Sequence, residues 1–469
     1  MKKLLFFASL VWAAALIFTA CGTTDKIEKP QTSEETVKEP EVKDPPNVAF
    51  AKDLQKHLNA NDLEGAIKTF ENMPNELKTD TDLKLVLASL YVSSGDYNNA
   101  SAVANEILAT DPNNMSALEV VSVTARASGD KKTYNQINKK ILQEDPFNAQ
   151  ANILAGQDYA LNKKYKLARD CYSKALQSEP ENPDALYGYT LMSYYQDDVK
   201  TAKQTAQKLL SIDPKNPSGL SFMGKIAAEE YNYIKAIKYA QDAIKYEPDN
   251  YNYYLDLGKY YRATGKFDEA TETWTKATEL QPDYFLAYAY LAGCYDEQNQ
   301  YDLAIYNYQK VIDTNPQYYY AYESIAVLEY HMGRYDDSIK HFLTAYSYYQ
   351  NYSYKLMVAA MYYQKKDSYN GKKYINELLK TLERDSAEYN LVRMFGETYS
   401  RNAATTLIQK INKEDNSNKK GKMLFYMGLY FETFGAPESA VEYYTKVASM
   451  QAPMFFEYRL AEWGLGLYE

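Results

Sequence analysis

Between Tyr254 and Ala277 the apolar side chains fall into two runs of helical spacing. Tyr254, Leu257 and Tyr261 lie three and four residues apart, as do Phe267, Ala270, Trp274 and Ala277, so each run gathers its apolar groups on one face of a helix. Between them "ATGK" supplies a turn, with Gly265 suited to end the first helix. The pattern predicts a helical hairpin. Gly258 interrupts its first helix, where glycine costs about 1 kcal/mol relative to alanine. The expected compensation is close helix approach, with Gly258 meeting Ala270 while Tyr261 and Phe267 fill the space around the contact.

The hairpin recurs. Prolines stand at 112, 146, 180, 214, 248, 282 and 316, a constant step of 34 residues. Ten residues past each come Ser122, Gly156, Thr190, Gly224, Gly258, Ala292 and Ala326, and twenty-two past come Tyr134, Ala168, Ala202, Ala236, Ala270, Ala304 and Ser338. A fixed period of this length marks stacked units that bury a core only against their neighbours. Counting by 34 from residue 81 gives nine units ending at 386. Residues 47–80 fit as a degenerate first unit, and 387–454 as two divergent ones that recover the pattern through Gly428 and Ala440. The polar run "NKEDNSNKKGK" at 412–422 is expected to form a loop, and 455–469 one more helix. The expected packing positions are Gly156, Ala168, Gly224, Ala236, Gly258, Ala270, Ala292, Ala304, Gly428 and Ala440.

Within Tyr251 to Tyr284, the residues Tyr254, Leu257, Gly258, Tyr261, Ala270, Trp274, Ala277 and Pro282 resemble the tetratricopeptide repeat in kind and spacing. The resemblance implies an all-α fold, a right-handed α-solenoid of about 10–12 tandem helix-turn-helix repeats. It also implies a concave groove made by the first helix of each unit, where peptides or partner proteins dock. Groove-facing positions of the repeat carry Tyr187, Tyr194, Tyr320, Tyr330 and Tyr354, and neighbouring groove positions hold Lys225, Lys259, Arg262, Glu323 and Met357. Aromatic side chains give contact area at low entropy cost. This matters because 31 of the 49 tyrosines lie between Tyr231 and Tyr374. The family's clamp for partner carboxylates, lysine at position five and asparagine at nine, is absent: position five reads Tyr187, Ser221, Leu255, Ala289 and Glu323.

The N-terminus follows a different logic. Lys2 and Lys3 precede an apolar run from Leu4 to Phe18, and "FTACG" closes it, the layout of an export signal. The segment resembles a bacterial lipobox, which implies that residues 1–20 are a signal peptide and that Cys21 is lipidated. Residues 22–46, rich in Lys, Glu, Thr and Pro, cannot form a core; with Cys21 they form the tether, 21–46. The resemblance implies a repeat domain held outside the cytoplasm by a lipid in the cytoplasmic or outer membrane.

Lys+Arg 52 against Asp+Glu 62 gives a net charge of −10, which argues against nucleic acid as partner. Three histidines and three cysteines are scattered, with no HExxH, paired CxxC, G-x-S-x-G or phosphate-loop motif. No metal, cofactor or catalytic residue is therefore expected. Together these readings predict a non-catalytic, membrane-anchored scaffold of the bacterial cell envelope that binds protein or peptide partners. The alternative is an accessory to small-ligand or lipid uptake beside a solute-binding partner.

Overall fold

The computed structural model describes residues 44–396, 401–451 and 453–467. Cys21, the signal segment and nearly all of the tether lie outside them. All regular structure among the described residues is helical, and the chain divides into two compact units, one ending at Met223 and the other beginning at Gly224.

In the first unit, Pro46–Asn59 and Leu63–Thr69 form a short hairpin. Four regular hairpins follow: Thr81–Ser94 with Tyr97–Thr110, Met115–Ala127 with Lys131–Glu144, Ala149–Leu161 with Tyr165–Ser178, and Pro183–Tyr194 with Val199–Ile212. Most begin on a side-chain cap. Asp80, Asp96, Asn114, Asp130, Asn148, Asn182 and Asp198 each accept a hydrogen bond from a first-turn backbone N–H, satisfying a donor that the helix leaves open. The turn inside each hairpin carries a left-handed residue at a 34-residue step, Gly95, Gly129, Lys163 and Asp197. The hydrophobic core is broken into small clusters of a few helices each, such as Ala88, Ala104, Ala117 and Val120, or Ala168, Tyr172, Ala185 and Met192.

Helix Pro217–Glu229, within which the division falls, and helix Tyr233–Tyr246 come next, and the second unit continues with Tyr251–Ala263 and Phe267–Leu280, Phe285–Glu297 and Tyr301–Thr314, Tyr319–His331 and Tyr335–Tyr348, and Tyr352–Gln364 and Ser368–Leu379. After these come Ala387–Gly396, Arg401–Asn412, Ser417–Thr433, Pro437–Ala448 and Glu457–Gly464. The polar run at 412–422 is only partly a loop. Asn416 accepts from Lys419 N and starts a helix at Ser417, so the charged residues that suggested a loop form the solvated first turn of that helix.

Gly258 is buried, but its partner is not Ala270. A β-carbon there would lie 2.3 Å from Nε1 of Trp274, whose indole is fully buried and donates to the Leu255 carbonyl at 3.2 Å. The glycine makes room for a large ring from the second helix. Elsewhere a tyrosine takes that place: Tyr172 fills the gap beside both Gly156 and Gly188, and Tyr444 lies against Gly428 and Gly464. Ala168, Ala236, Ala270, Ala292 and Ala304 are fully buried, and Ala440 nearly so.

Tyr354 and Met357 are core residues, at 1% and 0% exposure, which corrects their placement in an open groove. Every residue of Leu356–Met361 is buried, because helices Ser417–Thr433 and Glu457–Gly464 cover the face of Tyr352–Gln364 that a regular array would leave open. Tyr426 donates to the Ser353 carbonyl at 3.0 Å, and Phe456 packs on Tyr354 at 6.0 Å. One continuous core runs from Ala326 to Ala461.

Candidate functional site

Helices Pro217–Glu229, Tyr251–Ala263 and Phe285–Glu297 share a line of charge. Asp256, only 7% exposed, sits between Lys259, whose Nζ is 2.6 Å from Oδ1, and Lys225, whose Nζ is 3.6 Å from Oδ2. Both ammonium groups remain nearly half exposed. Further along, Arg262 grips Glu297 through two hydrogen bonds, Nε to Oε2 at 2.8 Å and Nη2 to Oε1, and that pairing raises the arginine pKa further. Solvated pairs of this kind add little stability, about 0–1 kcal/mol each. Their effect is to hold charged groups at fixed points on a surface.

The preceding residue on the Glu297 helix, Asp296, faces a different partner. Arg459 Nη1 donates to its Oδ2 at 2.5 Å, bridging residues 163 apart in sequence. The Arg459 guanidinium also lies 4.2 Å above the Trp463 ring, and that ring stacks on His331 at 3.9 Å and 18°. The helix Glu457–Gly464 is thereby seated on first helices Phe285–Glu297 and Tyr319–His331.

Of the residues expected in the groove, Lys225, Lys259 and Arg262 fall on this line of charge. Tyr320 is 51% exposed and stacked on Tyr319 at 4.2 Å. Glu323 is half-buried and accepts from the Tyr354 hydroxyl at 2.5 Å; burial raises its pKa against that hydrogen bond. Tyr330 stacks on Tyr335 and its hydroxyl accepts from Gln364 Nε2 at 3.2 Å. In the first unit, Tyr187 and Tyr194 are half-buried, with Tyr194 edge-on to Phe222 at 5.6 Å. The site residues that sequence reasoning missed are Asp256, Asp296, Glu297, Arg459 and Trp463. Asp256 was within reach, standing three residues before Lys259 on a helix; the pairing of Arg459 with Asp296 has no local signal.

Other candidate chemistry is structural. His341 Nδ1 lies 2.7 Å from Glu329 Oε2 and His57 Nδ1 lies 2.7 Å from Asp62 Oδ2. Cys171 and Cys294 are free thiols whose pKa burial pushes up. Among the described residues, no cluster of His, Cys, Asp or Glu is placed to hold a metal, and no helix is long and apolar enough to cross a membrane.

Comparison with known proteins agrees with the repeat register. Profiles of the tetratricopeptide repeat match residues 81–114 and, in overlapping stretches, 223–270, 255–318 and 295–355. The chain carries tetratricopeptide repeats in these segments. Pseudomonas aeruginosa pilF is similar at 20% identity, covering 45% of this chain and 97% of its own with a TM-score of 0.41. YrrB, described as a TPR protein with an unusual peptide-binding site, aligns at 21% identity over 39% of this chain and 95% of its own, TM-score 0.32. A thermophilic TPR protein of Thermus thermophilus, TTC0263, gives 20% identity, 38% and 98% coverage, and a TM-score of 0.34. No curated protein sequence matches the chain.

Proposed function

We propose that this chain is a non-catalytic interaction scaffold, anchored to a bacterial envelope membrane through lipid on Cys21, that binds partner proteins or peptides on the first-helix face of its repeats. The observation that carries this reading is the line of Lys225, Asp256, Lys259, Arg262 and Glu297. Each cation is fixed by a carboxylate yet left open to solvent, so its position is set before a partner arrives and less conformational entropy is lost on binding. The lipobox-like "FTACG" before a polar tether supports the anchoring.

Two tyrosines provide matched probes. Tyr320, on a first helix, and Tyr306, on a second helix, are 51% and 59% exposed. With benzoylphenylalanine at each in turn, irradiation of intact cells should give discrete crosslinked species from position 320 and none from 306. Equal crosslinking at the two would reject the first-helix face as the binding surface. Replacing Cys21 by serine should release the protein from the membrane fraction.

A further inference from the structure

The helix Glu457–Gly464 does two things at once. On one side it continues the stack, with Gly464 against the Tyr444 ring as Gly188 lies against Tyr172. On the other it returns to repeats far earlier in the chain. Arg459 takes the Asp296 carboxylate, Trp463 takes His331 and Tyr301 (ring centroids 3.9 and 5.9 Å), and Phe456 takes Phe342 and Tyr354 (5.6 and 6.0 Å). Spaced three and four residues apart, these three side chains share one helical face. An apolar anchor, a guanidinium paired with a carboxylate and a second aromatic make up the pattern by which a groove recognises a helical peptide.

The seat is imperfect in a way that a purely structural cap would avoid. Oδ1 of Asp296 and the hydroxyl of Tyr352 are buried without a hydrogen-bond partner, each a deficit that a better-matched occupant could relieve. Eight residues are also too few to hold a helix in water without the contacts they dock against. The helix is held by its seat.

We propose that Glu457–Gly464 is a built-in occupant of the first-helix face of residues 285–364, and that this face also takes, in its place, a partner helix presenting an aromatic, an arginine and an aromatic at the spacing of Phe456, Arg459 and Trp463. The inference rests on the function proposed above and names the partner's chemistry at one part of that face. An internal occupant competes at high effective concentration, so the free protein is closed and a partner must displace the helix.

The test uses the full chain with Arg459→Glu and Trp463→Ala together and a fluorescein-labelled peptide of residues 453–467. Hydrogen exchange should show protection lost at 457–464 and kept at 285–379. Fluorescence anisotropy should then show the peptide binding at least about tenfold more tightly to this variant than to the unaltered chain, and Asp296→Arg added to the variant should abolish that binding. Failure of a variant with intact repeats to bind the peptide would overturn the proposal. Should the repeats lose protection with the helix, Glu457–Gly464 is an integral part of the fold and the proposal also falls. Crosslinking from Tyr320 without peptide binding would leave the scaffold reading standing and remove only this inference.

Discussion

The first unit and the C-terminal part of the second use one hairpin in two ways. From Thr81 to Ile212 each hairpin buries a small core against its neighbours, and Asn or Asp caps start all but one of the helices. From Tyr319 to Gly464 a single core joins residues more than a hundred positions apart. Between the two lies a stretch of different local chemistry, after which Asn351, Asp367 and Asn416 cap helices again. Helices beginning at Phe267, Phe285, Tyr301, Tyr319 and Tyr335 follow Lys266, Tyr284, Gln300, Tyr318 and Arg334, none of which gives a side-chain cap. Tyr284 packs against Tyr251 at 5.5 Å and Tyr318 against Phe285 at 5.2 Å, so ring contacts between repeats stand where hydrogen-bonded caps stand in the first unit. An array with only neighbour contacts has nearly additive stability, whereas a closed core couples distant segments.

The largest effects should come from emptying the two kinds of core. Phe342→Ala removes a fully buried ring in contact with Tyr354 and Phe456 and should cost about 3–5 kcal/mol. Ile141→Ala, equally buried in the first unit, should cost about 2–5 kcal/mol. The contrast lies in reach. Hydrogen exchange should show Phe342→Ala lowering protection from about 319 to 448 together, and Ile141→Ala only in the hairpins that touch it. Equal spread in both variants would erase the distinction.

Overpacking comes next. A β-carbon at Gly188 would lie 2.3 to 2.6 Å from three atoms of the Tyr172 ring, which Gly156 confines from the other side. Gly188→Ala should therefore destabilise by about 1–3 kcal/mol despite alanine's better helix propensity. Adding Tyr172→Leu should return part of that loss in a thermal melt; a strictly additive double variant would mean the ring is not the obstacle.

Cap changes should be smaller, and opposite in sign at a capped helix of the first unit and an uncapped one of the second. Asn114→Ala deletes the acceptor for Ala117 N and should cost about 1 kcal/mol. Gln300→Asp supplies the acceptor that the helix Tyr301–Thr314 lacks and should gain up to about 1 kcal/mol by chemical denaturation.

The repeating part of this contrast was legible in the sequence because a 34-residue period is a local property, restated at every step by proline, small residue and turn. Gly265 and the small positions at 168, 236 and 304 could be placed from it. The reason for Gly258 could not, since spacing alone does not say whether a gap is filled by a small neighbour or by a ring such as Trp274. Tyr354 and Met357 were assigned to an open face for a related reason. The period describes contacts between adjacent units, and the helices that cover them come from about 60 to 110 residues further along the chain. The groove positions of the repeat gave Lys225, Lys259 and Arg262 but not Arg459, whose partner is remote.

The subtlest test concerns Glu457. It is fully buried, and burial raises its pKa above the ordinary glutamate value. Lys422, the Ser353 side chain and the Tyr426 hydroxyl, 3.2 Å from Oε1, oppose the shift, and the Glu457 charge in turn adds to the burial that raises Glu323 across the seat. Tyr352, whose phenol is likewise pushed up, offers no charge. A carboxyl with a raised folded-state pKa contributes stability when protonated, in full below its unfolded value of about 4.5, and loses that contribution as pH climbs through the folded value. Docking of Glu457–Gly464 should thus weaken as pH rises above the ordinary glutamate value of about 4.5, seen as exchange at 457–464 accelerating beyond the intrinsic base catalysis. Glu457→Gln should flatten that dependence and strengthen docking at the upper end. Regular hairpins such as Met115–Glu144 provide the reference in the same experiment, and a parallel change there would assign the effect to the whole chain and not to this carboxyl.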